Sequence, residues 1–205
     1  MKKDQYIEVL NRYIPNQCSE WATDFITKHQ VHLKVSKPRQ TKLGDYRSPF
    51  KDKGHRISIN SNLNQYAFFI TLLHEFAHLV TWNDFKRGVS PHGKEWKSNF
   101  AQLLKPFVEE GVFPEDVKNA LDNYLVNPAA SSCTDTNLMK TLDLYNKNSD
   151  SIYLETLPHG SIFRMPNGMV LQKGDKLRKF YKCILVDNHK QYRVNGLAKV
   201  HPLSN

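Results

Sequence analysis

The stretch from Asn62 to Val80 limits this chain more than any other. Nearly every position in it is apolar: Phe68, Phe69, Ile70, Leu72, Leu73, Phe76, Ala77, Leu79 and Val80. A helix that is apolar almost all round belongs in the middle of a domain. Asn62 is a candidate N-cap, with Gln65 three residues on as a capping-box partner. The polar exceptions are Thr71, His74, Glu75 and His78. Buried without partners, two imidazoles and a carboxyl would each cost several kcal/mol, on the order of the penalty for any unpaired buried polar group. Their presence asks for a reason.

His74-Glu75-Phe76-Ala77-His78 is an HExxH. Residues four apart lie one above the other on a helix, so both imidazoles reach one ion. Glu75, about 100° further round, reaches a water on that ion. A catalytic zinc takes three protein ligands and keeps a fourth position for water. Such a site activates water, and the carboxylate serves as the base. The third ligand is open to several candidates. The HExxHxxGxxH pattern is excluded, because Thr81 and Asp84 stand at its Gly and last His. A Glu from a later helix would be Glu95, Glu109 or Glu110. The better candidate is His92, in Ser90-Pro91-His92-Gly93-Lys94-Glu95-Trp96, just before the next helix. A helix-turn-helix return brings it back toward His74 and His78.

Either side of this helix the pattern is mixed. Tyr6, Val9, Leu10 and Tyr13 predict a helix closed by Pro15, and Trp21, Ala22, Phe25 and Ile26 a second. Val31, Leu33 and Val35 alternate as a half-buried strand, with His32 on the polar side. Residues 37–54 read as a loop or loose hairpin, and His55–Asn60 as a strand able to pair with the first. Trp96, Phe100, Leu103, Leu104 and Phe107 predict a helix, and Pro114 opens another through Tyr124. Asn127-Pro128-Ala129-Ala130-Ser131-Ser132 is the expected domain boundary. Beyond it short strands are predicted at 161–165, 169–172, 178–186 and 191–194. The expected fold class is therefore α+β, with domains at 1–127 and 128–205.

His74-Glu75-xx-His78, thirteen residues, then His92-Gly93-xx-Trp96 resembles the SprT-like zinc metallopeptidases, relatives of the Spartan proteases that digest DNA–protein crosslinks. Arg39-Gln40-Thr41-Lys42-Leu43-Gly44-Asp45-Tyr46 and the following strand resemble the region those proteins place before the active-site helix. The likeness covers roughly residues 5–125. It implies a zincin-like fold, one zinc ion per chain on His74, His78 and His92, and Glu75 as catalytic base. Bacterial members often end in a zinc ribbon with two cysteine pairs. Here only Cys133 and Cys183 could correspond, each without its partner, so the C-terminal part is read as a metal-free β appendage resembling a degenerate ribbon.

Composition bears on partners. Twenty-nine basic residues against 20 acidic give +9, which favours polyanions. Between Lys28 and Arg56 lie nine cations, Lys28, Lys34, Lys37, Arg39, Lys42, Arg47, Lys51, Lys53 and Arg56, against Asp45 and Asp52. A second cluster is Lys173, Lys176, Arg178, Lys179 and Lys182, against Asp175. Three cysteines without a close pair imply no disulfide framework. No apolar run reaches the roughly 18 residues needed to span a bilayer, and a cytoplasmic protein is expected. The leading expectation is an endopeptidase acting on protein substrates, among them proteins held on DNA. The rivals are a nucleic-acid-binding adaptor with a structural zinc and a hydrolase of small amides or nucleotides. Tyr46, Arg47 and His55 are all chemically suited to steady an oxyanion, and spacing does not choose among them.

Overall fold

The computed structural model describes residues 3–39, 41–126, 128, 135–146 and 151–203. The chain divides into two compact units, 1–146 and 147–205. The first is α+β. It opens with helices α1 (Lys3–Leu10) and α2 (Ser19–Lys28), which a one-turn 3-10 segment at Asn16–Cys18 connects. Strands β1 (His32–Ser36), β2 (Gly44–Arg47) and β3 (Arg56–Asn60) follow, and then helices α3 (Gln65–Phe85), α4 (Lys94–Glu109), α5 (Glu115–Val126) and α6 (Thr136–Asp143). The three strands form one sheet in the order β1-β3-β2, with β1 parallel and β2 antiparallel to β3. β2 lies inside the stretch expected to be a loop or loose hairpin. It has only four residues and one of them is glycine, so alternation could not announce it.

The apolar helix is the axis of this unit. Phe68, Phe69, Ile70, Leu72, Leu73, Phe76, Ala77 and Leu79 are all without solvent contact. Phe25 stacks on Phe76 at 4.1 Å between ring centroids, and Phe107 meets Phe69 edge-on at 4.9 Å. Ile57 and Ile59 of β3 close the sheet side of the same core. α3 starts later than expected. Its N-cap is Asn64, whose Oδ1 accepts from the Ala67 N–H at 3.0 Å, and not Asn62. The choice is tertiary, because the Asn64 amide also donates to Leu142 O and Asn146 Oδ1, both at 2.8 Å. The same anchoring draws α6 into the first unit, with Leu138 and Leu142 in its core. This unit therefore runs to Asn146, past the boundary expected at 127/128; that boundary, Pro128 apart, falls outside the described residues, as does Cys133.

The second unit is antiparallel β. Its strands are β4 (Ile152–Tyr153), β5 (Ile162–Arg164), β6 (Val170–Leu177), β7 (Phe180–Leu185), β8 (Gln191–Asn195) and β9 (Lys199–Pro202), in the order β4-β9-β5-β6-β7-β8. Phe163, Leu171, Cys183 and Val200 make its core, and Cys183 is a free thiol held protonated by burial. Lys173 does not belong to the surface cluster expected at 173–182. It is 4% exposed, with its ammonium donated to the carbonyls of Leu157 and Glu155 and seated 4.1 Å over the Tyr181 ring. Among the described residues no helix is long and apolar enough to cross a membrane.

Replacing Asn64 by Ala removes a cap and two tertiary donors, so a loss of about 1–2 kcal/mol is expected in urea unfolding. Asn64→Asp, which keeps the capping oxygen and loses the donors, should fall between Ala and wild type. Equal stability of all three proteins would contradict the assignment.

Candidate metal centre

Helix periodicity sets the first half of the site. His74 and His78 occupy successive turns of α3, with ring centroids 5.0 Å apart. The third imidazole comes from the return. α3 stops at Phe85, where Lys86 adopts φ 52 and donates its N–H to Trp82 O. The chain turns back and α4 begins after Gly93, its N-cap. His92, one residue earlier, brings Nε2 to 3.3 Å from His74 Nε2. The three imidazoles place their donor atoms within 4.8 Å of one another, and among the described residues they are the group of this kind.

Trp96, one turn into α4, is the surface on which the rings rest. Its centroid lies 4.6 Å from that of His74, 5.4 Å from His78 and 4.8 Å from His92, and Phe100 stacks on it at 5.1 Å. Burial, reinforced by the neighbouring rings, pushes His74 down to about 3 and His78 down to about 4. Burial alone lowers His92. All three are therefore neutral at pH 7, with lone pairs free, which is the state a metal requires. Three converging neutral imidazoles are a donor set suited to a divalent transition-metal ion. Glu95, Glu109 and Glu110 are not brought to this cluster. Glu95 faces Lys94 at 3.9 Å, and the other two stand at the far end of α4.

Glu75 is 5% exposed. Burial, with Asp45 adding to it, pushes its carboxyl up to about 8, against the opposing pull of Arg39 and Lys42 and a hydrogen bond donated by the Tyr46 backbone N–H. β2 presses directly on this carboxyl. A Cβ on Gly44 would collide with Glu75 Oε1 and stand 2.9 Å from Cδ and 2.8 Å from Thr71 Cγ2. Glycine is needed there for close approach, and a lone Gly in a strand is the sequence signal that could have marked it. Of the residues named for oxyanion chemistry, Tyr46 lines the cleft. Its ring runs parallel to that of His78 at 6.2 Å, and its hydroxyl lies 2.9 Å from His55 Nδ1. Arg47 turns to the opposite face of the sheet and pairs with Asp45. The cleft is open, about 470 Å³, and is walled by residues 41–46 on one side and by His74, Glu75, His78 and His92 on the other.

A family profile described as the SprT-like family matches residues 7–118, more than half of the chain. No curated protein and no solved structure matches it.

Two outcomes follow from this packing. Gly44→Ala should destabilise the fold by about 1–3 kcal/mol, the usual range for overpacking. Glu75→Ala should recover part of that loss and Glu75→Gln none, which a double-mutant cycle in urea measures. The second concerns pH in metal-free protein. Folded His74 and His78 bind fewer protons than the unfolded chain below the ordinary value of 6.5, so their stability contribution is lost as pH falls toward 4 and 3. Glu75, raised from 4.5 to about 8, contributes stability that is complete below 4.5 and lost as pH rises through 8. The melting temperature of Glu75→Gln minus that of wild type, taken in chelator, should climb between those values and level off above. A difference that stays flat across the range would mean the carboxyl titrates normally.

Proposed function

The chain belongs to the SprT-like family, and on that premise we propose that it is a zinc-dependent endopeptidase of zincin-like fold that acts on proteins bound or crosslinked to DNA. The observation that carries this reading is the buried Glu75 carboxyl, set beside three clustered imidazoles on the wall of an open cleft. A purely structural zinc site is a closed shell and has no use for a carboxyl beside an open position.

His74, His78 and His92 would hold the ion. Their donor atoms lie within 4.8 Å of one another, the His74 and His92 Nε2 atoms 3.3 Å apart, close enough to share one ion. When bound, zinc supplies Lewis acidity, lowering the pKa of a water to about 7 and polarising the scissile carbonyl. The raised Glu75 value belongs to the metal-free site; the charge of a bound ion would draw the carboxyl back to the carboxylate, which takes a proton from the attacking water as the oxygen–carbon bond forms. It returns that proton to the amine as the carbon–nitrogen bond breaks. Gly44 and the Tyr46 N–H fix where the carboxyl stands while it does so. β2 is an outer strand of its sheet, so an extended stretch of substrate can lie along it, as peptides add to exposed sheet edges. The DNA part of the reading is supported by charge, the nine cations between Lys28 and Arg56 leading directly into β3 and the active-site helix.

The test is proteolysis by zinc-loaded protein, with and without single-stranded DNA, scoring self-cleavage and loss of a DNA-bound protein. Glu75→Gln should keep one zinc per chain and lose about 10²–10⁴-fold in rate, whereas His92→Ala should lose the metal. If wild type and Glu75→Gln behave alike on every substrate, the chain is a zinc-holding binding module and not a peptidase.

A further inference from the structure

The outer face of the three-stranded sheet carries cations that the metal centre does not use. Leu33, Val35, Tyr46, Ile57 and Ile59 point into the first unit. Alternation therefore puts His32, Lys34, Arg47, Arg56 and Ser58 together on the other side, with Asp45. The register makes the crowding explicit. His32 and Arg47 stand directly opposite Arg56, one on each flank, and Lys34 stands opposite Ser58. Like charges directly opposite on one face destabilise a sheet, so folding gains nothing from setting Arg47 beside Arg56.

These residues and Arg39 line a groove of about 300 Å³. One carboxylate reaches it, Asp45, already engaged by Lys42 at 2.6 Å and Arg47 at 3.0 Å. Burial works against its charge, but those two hydrogen bonds hold Asp45 below the usual carboxylate range. No carboxylate partner of Lys34 or Arg56 lies among the described residues. Arg56 Nη2 donates to Ser48 O at 3.1 Å, while its Nε is buried without an acceptor, and a buried donor left unpaired calls for an explanation. Arg39 is held in place by Asn60 Oδ1 at 2.8 Å and Ser58 Oγ at 3.0 Å. A rigid floor, paired guanidinium groups, a lysine and a hydroxyl match the contacts proteins make to phosphate oxygens.

We propose that this groove binds the phosphodiester backbone of a nucleic-acid strand, with Lys34, Arg47 and Arg56 contacting phosphates. The inference rests on the peptidase reading for its purpose and names where that enzyme's nucleic acid lies. β2 is the shared wall: Gly44 and Tyr46 line the cleft, Arg47 lines the groove, and Asp45 borders both. A strand docked there runs one β-strand's thickness from Glu75, and a protein attached to it is held beside the cleft.

The experiment is a fluorescence-anisotropy titration of labelled oligothymidylate with the full chain across a range of salt. Arg56 is half-buried, so the primary variant is Lys34→Gln/Arg47→Gln, whose two positions are exposed. It should bind about tenfold more weakly at low salt, and its slope of log K against log salt should shrink by about 0.7 for each phosphate left without its cation. Zinc stoichiometry should not move, and the melting temperature should not fall, since Arg47 no longer opposes Arg56. Lys182→Gln/Arg193→Gln, on the sheet of the second unit, should leave affinity and slope as in wild type. Unchanged binding by Lys34→Gln/Arg47→Gln overturns the proposal, as does weakening confined to the Lys182/Arg193 pair. Polyglutamate displacing the oligonucleotide at equal charge concentration assigns the groove to acidic protein and overturns it too. Binding is read on wild type and on Glu75→Gln, so failure of the peptidase and failure of the groove are told apart.

Discussion

The first unit is organised around polar groups that α3 buries in an otherwise apolar helix. An isolated carboxyl or imidazole at that depth is unfavourable, and each is given surroundings that make it tolerable. The imidazoles lose their charge and all pack against Trp96. Glu75 is driven toward the protonated form by burial and takes one backbone hydrogen bond from β2. The apolar remainder of α3 supplies the core that holds these groups in place. The core and the candidate site thus share one helix, the one built from its phenylalanines and leucines and the other from His74, Glu75 and His78.

β2 is the second element on which function turns. Its four residues divide by strand alternation, Gly44 and Tyr46 toward the side of α3 and the histidine cluster and Asp45 and Arg47 toward the outer groove. Gly44 admits the Glu75 carboxyl, and the Tyr46 N–H steadies it. Asp45 spans both sides electrostatically: it raises Glu75 through the sheet while it binds Lys42 and Arg47. A change in the charge of the groove is therefore felt by the carboxyl across one strand.

Much of the site was legible because its signals are local. HExxH on a helix fixes two imidazoles and a carboxyl by the 3.6-residue repeat, and the Pro91, Gly93 and Trp96 context makes His92 the better of several candidates for a third. The alternatives Glu95, Glu109 and Glu110 were separated from it only by the return of α4, which sets His92 and not those carboxyls against His74. The basic stretch from Lys28 to Arg56 was visible as composition. Its sorting into a row on one sheet face was not, because that depends on the parallel pairing of β1 with β3 and on β2, a strand too short to show a period.

The sequence by itself determined the α+β class of the first unit, the apolar helix at its centre, His74, Glu75 and His78 on one helix, and the strand-rich character of the last 50 or so residues. Each of these is carried by periodicity or by spacing within one element. Tertiary structure decided the rest. It chose Asn64 over Asn62 as the cap through partners on α6, carried the first unit on to Asn146, buried Lys173 over Tyr181 and laid Gly44 against Glu75. In each of these the deciding partner is distant along the chain, and a contact of that kind exists only once the core has formed.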